Sequence, residues 1–350
     1  MKIFNKYPYL IADIGVNFID IAKKENISDM DAAKLMIDEA NACGVDAVKF
    51  QCFKAENFAS KNSPAYWDLS DEPATSQLEL YKKYDKFDKE DFCELARYCQ
   101  KAGIKFLVTP FDYDAVDYLN DFVDVFKISS SDLVNIPFIK YVAEKNKSIL
   151  LSTGGSTLNE IKDAVRAIEE VSTVDIAIMH SIFSYPTSYE DANLLMIKDL
   201  AENFPEYEIG YSDHTKPDKD MIILTTAYNY GATILEKHFT LDKSLKGGDH
   251  YHSMDPSDVV KFKSNVEFLS KISGMKNKQP LICESSSRNG ARRSIVAVRD
   301  INVGEVISYE DLVFKRPGTG IYPSEVDRVV GKIAKVDISE DTLLDFNMIK

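Results

Sequence analysis

The chain has 350 residues, 45% of them hydrophobic and 28% charged, which is enough for two packed cores and too apolar for a disordered protein. Its formal charge of -14 argues against a basic face for nucleic acid or an anionic membrane surface. An anionic ligand would need a local cluster of Lys, Arg or metal. The five cysteines (Cys43, Cys52, Cys93, Cys99 and Cys283) are odd in number and form no C-x-x-C pair. That pattern indicates free thiols in a reducing, cytoplasmic compartment. No signal-peptide pattern opens the chain and no run of 18 apolar residues occurs, so no membrane span is expected.

Eight short β-rich runs follow one another: 8–15, 46–51, 105–111, 125–130, 148–153, 175–182, 208–214 and 233–239. Between them lie stretches with apolar residues three and four apart, clearest at 30–43, 89–101, 157–171 and 217–230, which predict helices. Eight strand–helix units in about 250 residues predict a (β/α)8 barrel over 1–274. A doubly wound open sheet is the alternative, but no G-x-G-x-x-G follows the first run. The long connection 53–88, with Trp67, is either a functional lid or a surface excursion with short helices of its own. A last barrel helix is expected at 257–273. The polar stretch 275–290 reads as a linker, and 291–350 as a small, mostly β domain too short for a large core of its own.

Residues just past the strands of a barrel share one rim, where active sites are built. Here that rim is polar in strand after strand. It carries Asp13, then Lys49 and Gln51, then Thr109, then Lys127, Ser130 and Asp132, then Ser152, then His180 and Tyr185. Ser212 and His214 follow, then Glu236 and His238, and beyond them Asp249, His250 and His252. Each residue alone has an ordinary structural explanation. Together, two lysines on inward positions would repel unless an anion lies between them, and the hydroxyls of four strands could ring that anion. His214 and His238 end adjacent strands, and two imidazoles with water or a carboxylate suit a divalent metal. His180, among apolar neighbours, reads as a core histidine.

At these residues the chain resembles the sialic acid (nonulosonate) synthase family. The motifs that carry the resemblance are IADIGVN at 11–17, VKFQ at 48–51, TPFD at 109–112, KISS at 127–130, LSTGG at 151–155, YPT at 185–187, GYSDHT at 210–215 and EKHFTLD at 236–242. RRS at 292–294, DINVGE at 300–305 and KRPGTGI at 315–321 resemble the family's antifreeze-like (SAF) domain. The resemblance implies condensation of phosphoenolpyruvate with an N-acyl hexosamine to a nine-carbon 2-keto acid and phosphate. The acceptor would be N-acetylmannosamine or a diacetamido-trideoxyhexose, and the product sialic, legionaminic or pseudaminic acid. It further implies that Lys49, Thr109, Lys127, Ser130, Ser152 and Ser212 bind phosphoenolpyruvate. His214 and His238 would hold Mn2+ or Mg2+. Asp13, Gln51, Tyr185 and Asp249 would face the sugar, with Arg316 reaching its N-acyl group from the small domain of the other subunit in a swapped homodimer. The proton-handling carboxylate would be Asp132, with Asp13, Lys49 and Lys127 as further catalytic candidates.

The chain departs from the family pattern at Phe18 and Asp20, at Ser131 and Asp132, at Phe183 and at Gly248. These positions lie toward the sugar, so the sugar's identity stays open. Two other activities fit the same residues: a Schiff-base aldolase using Lys49 or Lys127, and a sugar-binding protein without turnover.

Overall fold

A computed structural model describes residues 3–350 except 68, 70 and 71. Contacts divide the chain into two compact units, Met1–Ile272 and Ser273–Lys350. In the first unit, eight parallel strands close into a barrel in chain order. They are β1 (Tyr9–Gly15), β2 (Ala47–Cys52), β3 (Lys105–Pro110), β4 (Val125–Ile128), β5 (Ser148–Ser152), β6 (Ile176–Ser181), β7 (Glu208–Asp213) and β8 (Ile234–His238). Every strand falls on one of the eight runs read from the sequence. The helices outside are α1 (Phe18–Glu25), α2 (Asp29–Cys43), α3 (Ala55–Phe58), α4 (Gln77–Tyr84), α5 (Lys89–Ala102), α6 (Tyr113–Leu119), α7 (Ile136–Ala143), α8 (Leu158–Glu169), α9 (Met196–Asn203), α10 (Ile222–Asn229) and α11 (Pro256–Ser273).

Local sequence sets the ends of the helices. Asp88 caps α5 and Thr157 caps α8, each in a reciprocal box with the acidic residue three positions on. Gly44 ends α2 at φ +87°, where a side chain would be strained. The expected helix at 217–230 starts later, at Ile222. Asp218 precedes it and accepts from the Ile222 and Ile223 amides at 2.8 and 3.1 Å, so the chain turns there before coiling.

Strand side chains alternate between two environments. One set packs under the helices in the main core, for example Val48, Phe50, Val108, Phe126 and Ile178. The other set points into the barrel. Its lower layers are apolar: Tyr9, Ile11, Ala47, Leu107, Val125, Leu150, Ala177, Met179 and Ile234. Two residues further along the same faces stand Asp13, Lys49, Thr109, Lys127, Ser152, Ser181 and Glu236, all buried. The barrel is therefore plugged with hydrocarbon below and polar at its C-terminal mouth.

The second unit has its own core around Ile295, Ile301, Ile307, Val329, Ile338 and Leu344. Strands β9 (Ser294–Ala297) and β10 (Leu312–Lys315) pair antiparallel, and single bridges such as Ile301 with Ile338 complete the weave. The polar stretch read as a linker contains a further helix, α12 (Ser285–Ala291). Arg316 is exposed in the turn after β10.

Candidate active site

The site is built by register. Asp13 lies opposite Lys49 on β2 and His238 on β8, and Ser212 lies opposite Glu236. The Lys49 ammonium donates to the Asp13 carboxylate at 2.7 Å and to the Thr109 hydroxyl at 3.2 Å. Lys127 donates to Glu236 at 2.6 Å, Ser212 donates to the same oxygen at 2.9 Å, and Lys49 stands 3.9 Å from it. Two ammonium groups and two carboxylates thus form one buried network. This corrects the expectation that the lysines need an outside anion, because Asp13 and Glu236 already balance them. The two cations lower the Glu236 carboxyl to about 2, against the opposing effect of burial. Burial raises Asp13, with Lys49 pulling it back. Glu236 ends a strand beside His238, so the sequence places it at the rim. Its part as internal counter-ion was invisible there, because it depends on cross-barrel distance.

The LSTGG loop adds backbone donors. The Gly154 amide donates to the Ser130 hydroxyl at 3.0 Å, and a β-carbon on Gly154 would stand 2.9 Å from that oxygen. Asp132, in the turn after β4, keeps its Oδ2 buried without a hydrogen-bond partner, and burial raises its carboxyl. Gln51 lies across the end of β1, where Gly15 at φ +53° leaves room for its amide.

Beside this network stand three imidazoles. The ring centroids of His214 and His238 are 5.7 Å apart, of His238 and His252 4.9 Å, and of His214 and His252 6.4 Å. Tyr185 lies over His214 at 4.2 Å. Burial holds all three imidazoles neutral, with His214 down to about 4. His214 Nδ1 donates to the Ile182 carbonyl at 2.7 Å, which leaves Nε2 as its free lone pair. His238 Nδ1 is 3.5 Å from Asp13 and 3.4 Å from Asp249. Among the described residues, the donor atoms of His238, Asp249 and His252 lie within 4.8 Å of one another, a spacing that suits one cation. The orphaned nitrogens of His238 and His252 fit the same purpose, so the residues present match a divalent metal. Asp249 keeps 26% of its side chain open to solvent, yet burial of the carboxyl and the nearby charge of Asp13 raise it to about 7. His180 is a core histidine, bonded to the Ala192 carbonyl at 3.0 Å. Sequence reading left His250 and His252 open as loop residues; both are wholly buried.

The segment 53–88 borders the mouth. The Tyr84 hydroxyl accepts from the Gly248 amide at 2.9 Å, and Tyr81, bonded to Tyr66, lies within electrostatic reach of Asp249. Two departures from the family pattern meet at this point: a β-carbon on Gly248 would stand 3.7 Å from Asp20 Oδ2. Phe18, a third, stacks on Phe87 at 4.4 Å. A cavity of about 530 Å³ lies elsewhere, lined by Lys6, Leu10, Asp46, Phe262 and Lys263 near the strands' N-terminal ends, away from these groups.

A barrel with a polar C-terminal mouth defines an enzyme scaffold, and comparison with known proteins defines which one. Residues 36–278 match the NeuB family and residues 292–350 match the SAF domain. The chain belongs to the NeuB family, whose curated members include nonulosonic acid synthases, and it is a transferase of that family. An N,N'-diacetyllegionaminic acid synthase of Legionella pneumophila is 35% identical over 96% of this chain and 93% of its own. An uncharacterized protein of Methanocaldococcus jannaschii is 39% identical over 96% of this chain and 93% of its own. The crystal structure of the N-acetylneuraminic acid synthetase of Leptospira borgpetersenii, in complex with citrate, has a TM-score of 0.69 and 31% identity. It covers 81% of this chain and 90% of that one.

Proposed function

We propose that this chain condenses phosphoenolpyruvate with the open aldehyde of an N-acyl hexosamine, giving a nine-carbon 2-keto sugar acid and phosphate. The observation that carries the proposal is the single buried network joining Lys49, Thr109, Lys127, Ser212, Asp13 and Glu236 beside the imidazole cluster. Lys49, Lys127 and the hydroxyls of Thr109, Ser130, Ser152 and Ser212 hold the carboxylate and phosphate of the donor. Asp13, Gln51, Tyr185 and Asp249 face the acceptor sugar.

In the reaction, C3 of the enol attacks the aldehyde carbon, a carbon–carbon bond forms, and the aldehyde oxygen becomes a hydroxyl by taking up a proton equal to the one that water gives up at C2. Water adds at C2, the C2–O bond breaks, and phosphate leaves. Asp132 takes the water's proton at its carboxylate, a role that suits a carboxyl raised by burial. His214 and His238 would hold a divalent ion, Mn2+ or Mg2+, which when bound would supply a Lewis acid for the aldehyde oxygen. Arg316 of the SAF domain binds the acceptor's N-acyl group, across a homodimer in which the small domains are exchanged. The domain limits that go with this reading are a catalytic barrel over 1–274 and a small domain over 291–350, working in the cytoplasm.

The test is phosphate release by purified protein with Mn2+ and phosphoenolpyruvate, against a panel of N-acetylmannosamine and diacetamido-trideoxyhexoses. Release is expected only with a matching sugar, and mass spectrometry of the keto acid identifies it. Release indifferent to sugar would sink the proposal. One observation favours a Schiff-base aldolase instead: burial lowers the Lys127 ammonium. Borohydride trapping with pyruvate separates the two, and no covalent adduct is expected.

A further inference from the structure

We infer that His252 is a third imidazole ligand at the mouth, making a centre of His214, His238, His252 and Asp249 that takes a transition-metal ion in preference to Mg2+. The inference rests on the reading of this mouth as the reaction site, and its own test needs neither substrate.

Three observations carry it. His252 is wholly buried, and both of its ring nitrogens lack a hydrogen-bond partner, as does His238 Nδ1. One imidazole can give an ion only one nitrogen, and the two that face the Asp249 carboxylate, His238 Nδ1 and His252 Nε2, call for a common partner. The second observation is distance. His252 Nε2 is 3.6 Å from Asp249 Oδ1, and His238 Nδ1 is 3.4 Å from Asp249 Oδ2. A charged hydrogen bond would close to about 2.7–2.9 Å. Two donors about 2.1 Å from one tetrahedral ion stand roughly 3.4 Å apart, which is the spacing found. A cation between the rings and the carboxylate accounts for the unpartnered His238 Nδ1 and His252 Nε2 and for the separations.

The third observation is that the turn bearing these ligands is held from outside the pocket. The Asp249 amide donates to Asn17 Oδ1 at 2.9 Å, and the Ser253 hydroxyl donates to the Asp249 carbonyl at 2.6 Å. Asn17 Nδ2 donates to Ser253 at 3.1 Å and to the Phe239 carbonyl at 3.0 Å. The Met254 amide donates to the His238 carbonyl at 2.8 Å, tying the turn's far end to β8. His250 points the other way and meets the Thr240 hydroxyl at 2.7 Å. Alternate residues of one short turn therefore divide the work: His250 anchors the turn in the wall, and His252 faces the other imidazoles.

The donor set decides the ion. Three neutral imidazoles and one carboxylate suit Mn2+, Fe2+, Co2+ or Zn2+, whereas Mg2+ prefers an all-oxygen shell and keeps its waters. A site made of two imidazoles and water would discriminate less.

The test uses the full-length protein stripped with chelator and given metal alone. Co2+ is titrated by its visible absorption and Mn2+ by the loss of the free-ion electron paramagnetic resonance signal, with Mg2+ as competitor. The wild type should bind one Mn2+ per chain, and a hundredfold excess of Mg2+ should leave it bound. His252→Gln should weaken Mn2+ at least tenfold and change the Co2+ spectrum, since losing even an outer partner of a metal ligand costs roughly 10–100-fold. Equal affinity and an unchanged spectrum in His252→Gln would overturn the inference, as would displacement by equimolar Mg2+. Should that variant not fold, pulsed resonance of Mn2+ in the wild type counts the bound nitrogens. Three imidazole nitrogens are expected, and two would refute the assignment. Failure here leaves the condensation reading standing, while sugar-independent phosphate release strikes that reading and leaves the metal result intact.

Discussion

Glu236 ties both lysines of the site to one carboxylate. Its Oε1 accepts from Lys127 and Ser212 and lies near Lys49, so removing its charge leaves two buried ammonium groups with Asp13 alone. Breaking a buried pair in this way costs about 3–5 kcal/mol. Glu236→Gln should unfold in urea at a correspondingly lower midpoint, and an unchanged midpoint would show that the lysines find other partners. The pH dependence follows from the sign of the shift. Glu236 is held below its usual value, at about 2, so its contribution is fully present above the unfolded value near 4.5 and is lost as pH falls toward 2. The wild type should lose this component of stability between those limits, and the Gln variant should lack it. A wild type whose stability is flat across that window would contradict the assignment.

At the scale of elements, the turn after β8 is the most constrained piece of the mouth. Gly248 has φ +52°, and a β-carbon there would come within 2.9 Å of Asn17 Oδ1, the atom that accepts from Asp249. Gly248→Ala should therefore cost about 1–2 kcal/mol for the left-handed backbone alone. Displacement of Asn17 should also weaken metal binding, as the same titrations would record. Equal stability and equal metal affinity would mean that the turn adapts without strain. The barrel strands were legible in the sequence because each is a short apolar run between helix-period stretches, and period decides that question locally. Their polar ends were legible because inward positions repeat every two residues: Ile11 then Asp13, Ala47 then Lys49, Val125 then Lys127. Turns that fold back over the mouth have no such period. Nothing in the spacing of Asp249, His250 and His252 says that the first and third face the imidazoles of β7 and β8 while the second turns into the wall. The late start of α10 was missed for a related reason: the side chain of Asp218 takes the first amides, which periodicity does not register.

For the whole molecule, the proposed division of labour places donor chemistry in the barrel and part of acceptor recognition in the SAF domain. Arg316→Ala should raise the apparent KM for the sugar about tenfold or more, in line with loss of a charged hydrogen bond of about 1.5–3 kcal/mol, and leave that for phosphoenolpyruvate nearly unchanged. Steady-state kinetics with each substrate varied in turn decide it, and equal effects on both would remove Arg316 from the acceptor site. A change of pattern after the first compact unit, Met1–Ile272, was readable, because helix-period spacing gives way to the polar stretch 275–290, which falls inside the second unit, and short β runs resume after it. The helix Ser285–Ala291 within that stretch was not, since it buries no residue and so leaves no apolar stripe.

The balanced quartet of Asp13, Lys49, Lys127 and Glu236 has a consequence for turnover. An emptied pocket with two bare ammonium groups would cling to any leaving phosphate. When phosphate has left in the proposed reaction, Asp13 and Glu236 stand beside the lysines, so neither ammonium group is without a counter-charge. On the proposed reaction, product inhibition by phosphate should be weak for that reason, and the enzyme should return to readiness without waiting for the next anion.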